Sequence, residues 1–97
     1  MTLSPDATTV RDNPEQSRYE IASGNQVAGI EQYSIHDTVI TFEHTEIYPQ
    51  FEGLGFASTL VRAALDDVRA RGLRLRPECR YVVSFLTKHP EYQDLVV

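Results

Sequence analysis

The stretch Ile47-Tyr48-Pro49-Gln50-Phe51-Glu52-Gly53-Leu54-Gly55-Phe56-Ala57-Ser58 decides the fold, because the spacing of apolar residues changes across it. Upstream, apolar and polar residues alternate, the mark of half-buried strands. Downstream, Ala57, Leu60, Val61, Ala64, Leu65 and Val68 recur at spacings of three and one, the stripe of an amphipathic helix. A strand turning through glycines into a helix leaves the first N–H groups of that helix without internal partners, and these favour an anion. Gly53 and Gly55 suit such a turn by reaching positive φ and by letting a ligand approach the main chain. The plainer reading is that they make a tight turn and admit close helix–sheet packing.

Upstream of the turn, three segments are rich in β-branched and aromatic residues: 18–23, 27–35 and 38–47. Gly24-Asn25 and His36-Asp37 separate them, which predicts an antiparallel meander. Residues 1–16 are expected to hold a partly disordered leader and a first strand near Val10, with 17–97 forming the domain. Alternation along the last of the three puts Val39, Thr41, Glu43, Thr45 and Ile47 on one face, and Ile40, Phe42, His44 and Glu46 on the other.

Downstream, Gly72 is placed to cap the helix, and Leu73-Arg74-Leu75-Arg76 reads as a short strand ended by Pro77. The result is a strand–helix–strand unit whose strands run parallel. Tyr81, Val82, Phe85 and Leu86 then form the apolar side of a second, shorter helix that must stop before Pro90. Arg62 and Asp66 are expected to face water together, and the last residues to form a tail. The expected class is α+β, a mostly antiparallel sheet followed by one parallel pair and two helices.

A chain of 97 residues supports one modest core, and 41% hydrophobic with 24% charged residues is ordinary for a globular protein. Its net charge of -5 argues against a protein built to neutralise nucleic-acid phosphates. Charge is unevenly spread, however, since seven of the nine basic residues fall between Arg62 and Lys88. The single cysteine, Cys79, and a start lacking a basic-then-apolar run point to a reducing cytoplasm. No apolar stretch approaches the roughly 20 residues needed to span a bilayer.

Among phosphate-binding turns, the P-loop is excluded because no Gly-Lys-Ser/Thr follows, and the dinucleotide fingerprint is half met. Gly53-Leu54-Gly55-Phe56-Ala57-Ser58 puts serine at the third glycine position, although Glu78 lies at a suitable distance downstream. The length is too short for two mononucleotide-binding halves. By contrast, Gln50-x-x-Gly53-x-Gly55 resembles the coenzyme A signature of the GCN5-related N-acetyltransferases, Gln/Arg-x-x-Gly-x-Gly/Ala, at the expected strand-to-helix junction. Phe42-Glu43-His44-Thr45-Glu46, the helix start at Gly53, and Cys79-Arg80-Tyr81-Val82 through His89-Pro90-Glu91-Tyr92 resemble the minimal, single-domain branch of that superfamily. The resemblance spans about residues 17–95.

What it implies is an α/β/α-like core, acetyl-coenzyme A as co-substrate, an amine acceptor and no metal. The acceptor could be a small amine, a polyamine or a protein lysine. Glu46, Ile47 and Tyr48 would run beside the pantetheine arm in the manner of an added strand. Gln50 and the amides of Phe51, Glu52, Gly53, Leu54 and Gly55 would hold the pyrophosphate, joined by Phe56, Ala57 and Ser58 of the first helical turn. Larger relatives carry acceptor-shaping helices between their first two strands, and residues 11–18 are too few to hold them.

Acetyl transfer needs a neutral amine, and a free lysine with pKa of roughly 10.4 is almost wholly charged at pH 7. His44 and Glu46 are candidate bases, against a plain reading as sheet-rim residues. Cys79, just after the second parallel strand and at the head of a helix, sits where a thiolate is favoured and could accept the acetyl group transiently. The competing role is a small hydrophobic filler. Tyr81 is placed to protonate the leaving coenzyme A thiolate, as a tyrosine near this helix does in many relatives, or else to line the pocket. Two other readings share the sequence: a coenzyme A-binding adaptor or sensor without turnover, and a protein-interaction domain using its sheet edge. Monomer and homodimer are both open.

Overall fold

A computed structural model of the chain describes residues 8–97. Five strands follow one another across a single sheet: β1 (Thr8–Asn13), β2 (Arg18–Ser23), β3 (Gln26–His36), β4 (Val39–Ile47) and β5 (Arg74–Pro77). The first four form the antiparallel meander, and β5 joins the far edge parallel to β4 after helix α1 (Phe56–Ala70) crosses over. Helix α2 (Arg80–Lys88) comes next. Residues 1–7 of the expected leader lie outside the described residues, and from Thr8 the chain is strand.

An isolated helix of this length is marginal in water, so α1 is held by what it buries. Leu60, Val61, Ala64, Leu65 and Val68 are fully buried and share one cluster with Ile21, Ile40, Phe42 and Leu75 of the sheet. At about 1.5–3 kcal/mol per large apolar side chain, this stripe contributes on the order of 10 kcal/mol before chain entropy is counted. Val82, Phe85 and Leu86 bring α2 into the same cluster.

Two expectations fail. Pairing of β3 with β4 slips between Gln32 and Tyr33: Tyr33 faces Phe42 whereas Gln32 faces His44, which leaves Glu43 as the extra residue of a β-bulge. Alternation therefore reverses at Glu43. Thr45 and Ile47, not His44 and Glu46, continue the core face of Ile40 and Phe42. Thr45 is paired with the buried Glu31, and His44 with the exposed Gln32.

The last residues are not a tail. Pro90–Leu95 form a 3-10 helix that buries Tyr92 and Leu95. Val96 then bridges Leu75 in parallel, with the Val97 N–H donating to the Leu75 carbonyl at 3.0 Å. Arg62 and Asp66 face water as expected, the Arg62 side chain 44% exposed, and both also serve this segment. The Arg62 guanidinium lies over the rings of Phe85 and Tyr92 at 5.7 and 5.9 Å, and Asp66 accepts from the Tyr92 hydroxyl at 2.7 Å. A short proline-led turn gave no helical period by which to recognise it.

Candidate active site

Strand β4 is paired with β5 only as far as Phe42 opposite Pro77. The N–H groups of Glu78 and Cys79 both donate to the Phe42 carbonyl, at 3.0 and 3.1 Å, as the chain leaves the sheet. Beyond that point β4 has no strand neighbour on this edge among the described residues. Its far end is tied on the other side, where the Tyr48 N–H donates to the Ala28 carbonyl at 2.8 Å. The sheet thus opens at the place where the glycine turn begins.

The turn is a 3-10 segment, Pro49–Phe51, followed by Gly53 at φ 80° and Gly55 at φ 79°. Both angles are left-handed, which explains glycine at each. An added Cβ would meet no atom within 4 Å at either position, so close packing within the protein is not what requires them. Phe51 and Phe56 are buried beneath the turn with ring centroids 6.0 Å apart. The first helical bond runs from the Thr59 N–H to the Gly55 carbonyl, so the N–H groups of Phe56, Ala57 and Ser58 point out of the head of α1. Gly55, as N-cap, offers them no side chain.

A cleft of about 270 Å³ lies against this turn. Of the residues expected to hold the co-substrate, Ile47, Phe51, Glu52, Gly53, Gly55, Phe56, Ala57 and Ser58 line it, and Tyr81 reaches it from α2. Glu46, Tyr48, Gln50 and Leu54 are not among its walls. The side chains of His44 and Glu46 do come together, at 3.3 Å, but 57% and 49% exposed on the sheet face that the bulge turns away from the core. A larger hollow of about 380 Å³ lies between β1 and α1. Its carboxylates already have partners: Tyr33 and Arg71 for Asp12, Tyr19 and Arg71 for Asp67, Tyr92 for Asp66.

Cys79 is the N-cap of α2, and its Sγ lies 3.2 Å from Thr45 Oγ1. Burial opposes ionisation of the thiol, yet hydrogen bonds from Thr45 and from backbone groups of Val82 and Tyr81 outweigh it and hold the thiol below its usual range. The Tyr81 phenol is pushed up by burial, opposed by a hydrogen bond with Ser58. Glu31 and Thr45 were not apparent as site residues from the sequence. Glu31 is fully buried in β3, accepts a hydrogen bond from the Thr45 hydroxyl, and has no partner for Oε2. Burial pushes its carboxyl up to about 8, with the Cys79 charge adding to the rise, against hydrogen bonds from Thr45 and the His44 backbone. A carboxyl two residues from another buried β3 side chain, Tyr33, was the only available signal.

A sheet that splays at a glycine turn, with unpartnered N–H groups at a helix head, leaves an opening beside a strand edge that favours an anion. Residues 18–95 match the family model described as GCN5-related N-acetyl-transferase, and the chain belongs to that family. Protein NATD1 of Bos taurus is 35% identical over 57 residues, covering 59% of this chain and 50% of the relative. The Gallus gallus protein is 32% identical over 57 residues, with 59% and 52% covered. The matched segment thus spans about half the length of these relatives. A GCN5-like protein from Staphylococcus aureus solved by NMR superposes with a TM-score of 0.70 at 20% identity, covering 94% of this chain and 89% of that one. The ribosomal-protein-S18-alanine N-acetyltransferase from Escherichia coli gives 0.63 at 10% identity, covering 88% and 53%. These two likenesses concern the fold.

Proposed function

We propose that the chain is an acetyl-coenzyme A-dependent N-acetyltransferase whose carrier lies in the cleft beside Gly53 and Gly55. The observation that carries this reading is the open space over two left-handed glycines at the head of α1, walled by eight of the expected residues. The amides from Phe51 to Ser58 hold the pyrophosphate by direct donation and by the positive end of the helix dipole. Main-chain groups of Glu46, Ile47 and Tyr48 align the pantetheine arm along the free edge of β4. That direction carries the thioester toward Thr45, Cys79 and Tyr81.

Chemistry at that end divides between two groups. The Cys79 thiolate attacks the acetyl carbonyl, so that the Sγ–C bond forms as the coenzyme A sulfur–carbon bond breaks. Tyr81 is placed to give the departing thiolate a proton. An incoming neutral amine then attacks the acetyl carbonyl carbon, its N–C bond forming as Sγ–C breaks and the Cys79 thiolate leaves. His44 and Glu46 take no part as side chains, because they lie on the other face of the sheet. The acceptor is an amine small or extended enough to approach an open site.

Turnover is tested by coenzyme A release on a panel of small amines, polyamines and lysine peptides, with intact mass recorded on mixing with acetyl-coenzyme A. An acetyl adduct on wild type that is absent from Cys79→Ala supports the covalent route, and full activity in Cys79→Ala ends it. A second reading, a coenzyme A-binding module without turnover, is favoured by one observation. Residues 14–17 join β1 to β2 as a tight turn, with no element there to shape an acceptor pocket. Binding of the carrier with no release on any amine would select it.

A further inference from the structure

We propose that Glu31, Thr45 and Cys79 share one proton, with buried Glu31 as a positioning residue that takes the Cys79 proton through the Thr45 hydroxyl. The three side chains form a continuous chain from the interior of β3, across β4, to the head of α2. Thr45 has one hydroxyl hydrogen and two neighbours that can use it. With Glu31 ionised, Thr45 donates to Glu31 and the thiol donates to Thr45. With Glu31 neutral, the carboxyl donates to Thr45 and Thr45 donates to the thiolate. One state becomes the other when Sγ–H passes its proton to Oγ1 as Oγ1–H passes its own to Oε1, with no net change of charge.

Location decides which end keeps the charge. Glu31 is completely buried, has no cation partner among the described residues, and leaves Oε2 without any hydrogen bond. An ionised carboxylate there would carry unmet charge in the core, whereas a neutral carboxyl leaves one uncharged oxygen unmet. Cys79 is partly exposed and sits at a helix N-terminus, which tolerates a negative charge far better. The shifts agree in direction, the carboxyl rising to about 8 while the thiol falls. Other titratable groups facing this site are engaged elsewhere. Tyr19, opposite Glu31 in β2, donates to Asp67 at 2.6 Å, and Tyr33, next on the same face of β3, donates to Asp12 at 2.6 Å. The buried side chains of α1 are all apolar, and its Asp67 is the one already paired with Tyr19.

Thr45 and Cys79 each lie two residues from a wall of the cleft, Ile47 and Tyr81. The use of the thiolate for acyl transfer rests on the reading above. In that cycle the proton parked on Glu31 returns to Cys79 when the amine displaces it, and the amine's surplus proton leaves to solvent.

The sharing itself is tested without acyl-coenzyme A, so its failure and the failure of acetyl transfer are separate results. Cys79 is the only cysteine, so iodoacetamide alkylation against pH reads its ionisation directly. Thr45→Val should lower alkylation at pH 7 severalfold, because the thiolate loses the hydroxyl that stabilises it. Thr45→Ser, which keeps the hydroxyl, should restore it to within about twofold. In parallel, carboxyl-labelled protein should show Glu31 titrating near pH 8 in wild type and at lower pH in Cys79→Ala, where the opposing charge is gone. Identical alkylation profiles for wild type and Thr45→Val would overturn the proposal. So would a Glu31 midpoint indifferent to Cys79→Ala, an arm that decides the matter even if Thr45→Val fails to fold.

Discussion

In a Cys79→Ala background, replacing Glu31 with glutamine should flatten the pH dependence of stability. The background matters because a Cys79 thiolate has lost a proton that the unfolded thiol keeps, and that loss offsets the proton Glu31 gains. In the wild-type fold the carboxyl stays protonated until about pH 8, and to a lower pH once the Cys79 charge is removed, whereas in the unfolded chain it ionises at its ordinary 4.5. Across that window the folded state binds a proton that the unfolded chain has lost, so stability falls as pH rises. The contribution of neutral Glu31 is complete below the unfolded value and has gone by about pH 8. At about 1.4 kcal/mol per pH unit, a window reaching pH 8 is worth about 5 kcal/mol, and we expect about 2–4 kcal/mol once the missing Cys79 charge and local relaxation are allowed. Urea unfolding of Cys79→Ala and of the Cys79→Ala, Glu31→Gln double variant at half-unit intervals from pH 5 to 8 measures it, provided the denaturant slopes agree. The protein that keeps Glu31 should lose stability steadily relative to the double variant. Parallel curves for the two proteins would refute a buried neutral carboxyl.

Gly29→Ala should destabilise the fold by about 1–3 kcal/mol in the same urea assay, because its Cβ would lie 2.7 Å from the Glu46 carbonyl oxygen and overlap the Ile47 side chain, a wall of the cleft. Leu95→Ala should cost about 2–5 kcal/mol, since the C-terminal segment is packed core; a loss below about 0.5 kcal/mol would mean that it is a tail after all. His44→Ala should leave acetyl transfer within about twofold of wild type, because its ring lies on the outer sheet face; a loss near the 10²-fold typical of a general base would restore it to the chemistry.

Much of the fold was legible because two periods, two and 3.6, are written plainly on either side of Gly53 and Gly55. The meander, the crossover, the parallel pair and the second helix follow from that change together with Gly72, Pro77 and Pro90. What escaped was what depends on a partner strand or a distant segment. Nothing around Glu43 marks it as a bulge, since the extra residue is defined only by Gln32 and Tyr33 opposite. That one residue moved His44 and Glu46 off the core face and put Thr45 there instead. Glu31 looked like an ordinary polar strand residue, and its burial arises from Thr45 above it and the head of α2 beyond. Cys79 and Tyr81 were legible because a helix start after a short parallel strand is a local pattern.

The central claim is that the glycine turn receives the pyrophosphate of acetyl-coenzyme A, and calorimetric titration of that molecule into wild type and a Gly53→Ala, Gly55→Ala double variant tests it. Neither added methyl meets an atom within 4 Å in the free protein, so the variant should stay folded at a backbone cost of about 1–2 kcal/mol per site. The two methyls would nonetheless stand where the phosphates approach the main chain. We expect wild type to bind and the folded variant to lose about hundredfold or more in affinity. Equal affinity in both proteins, or no binding by wild type, would contradict the account.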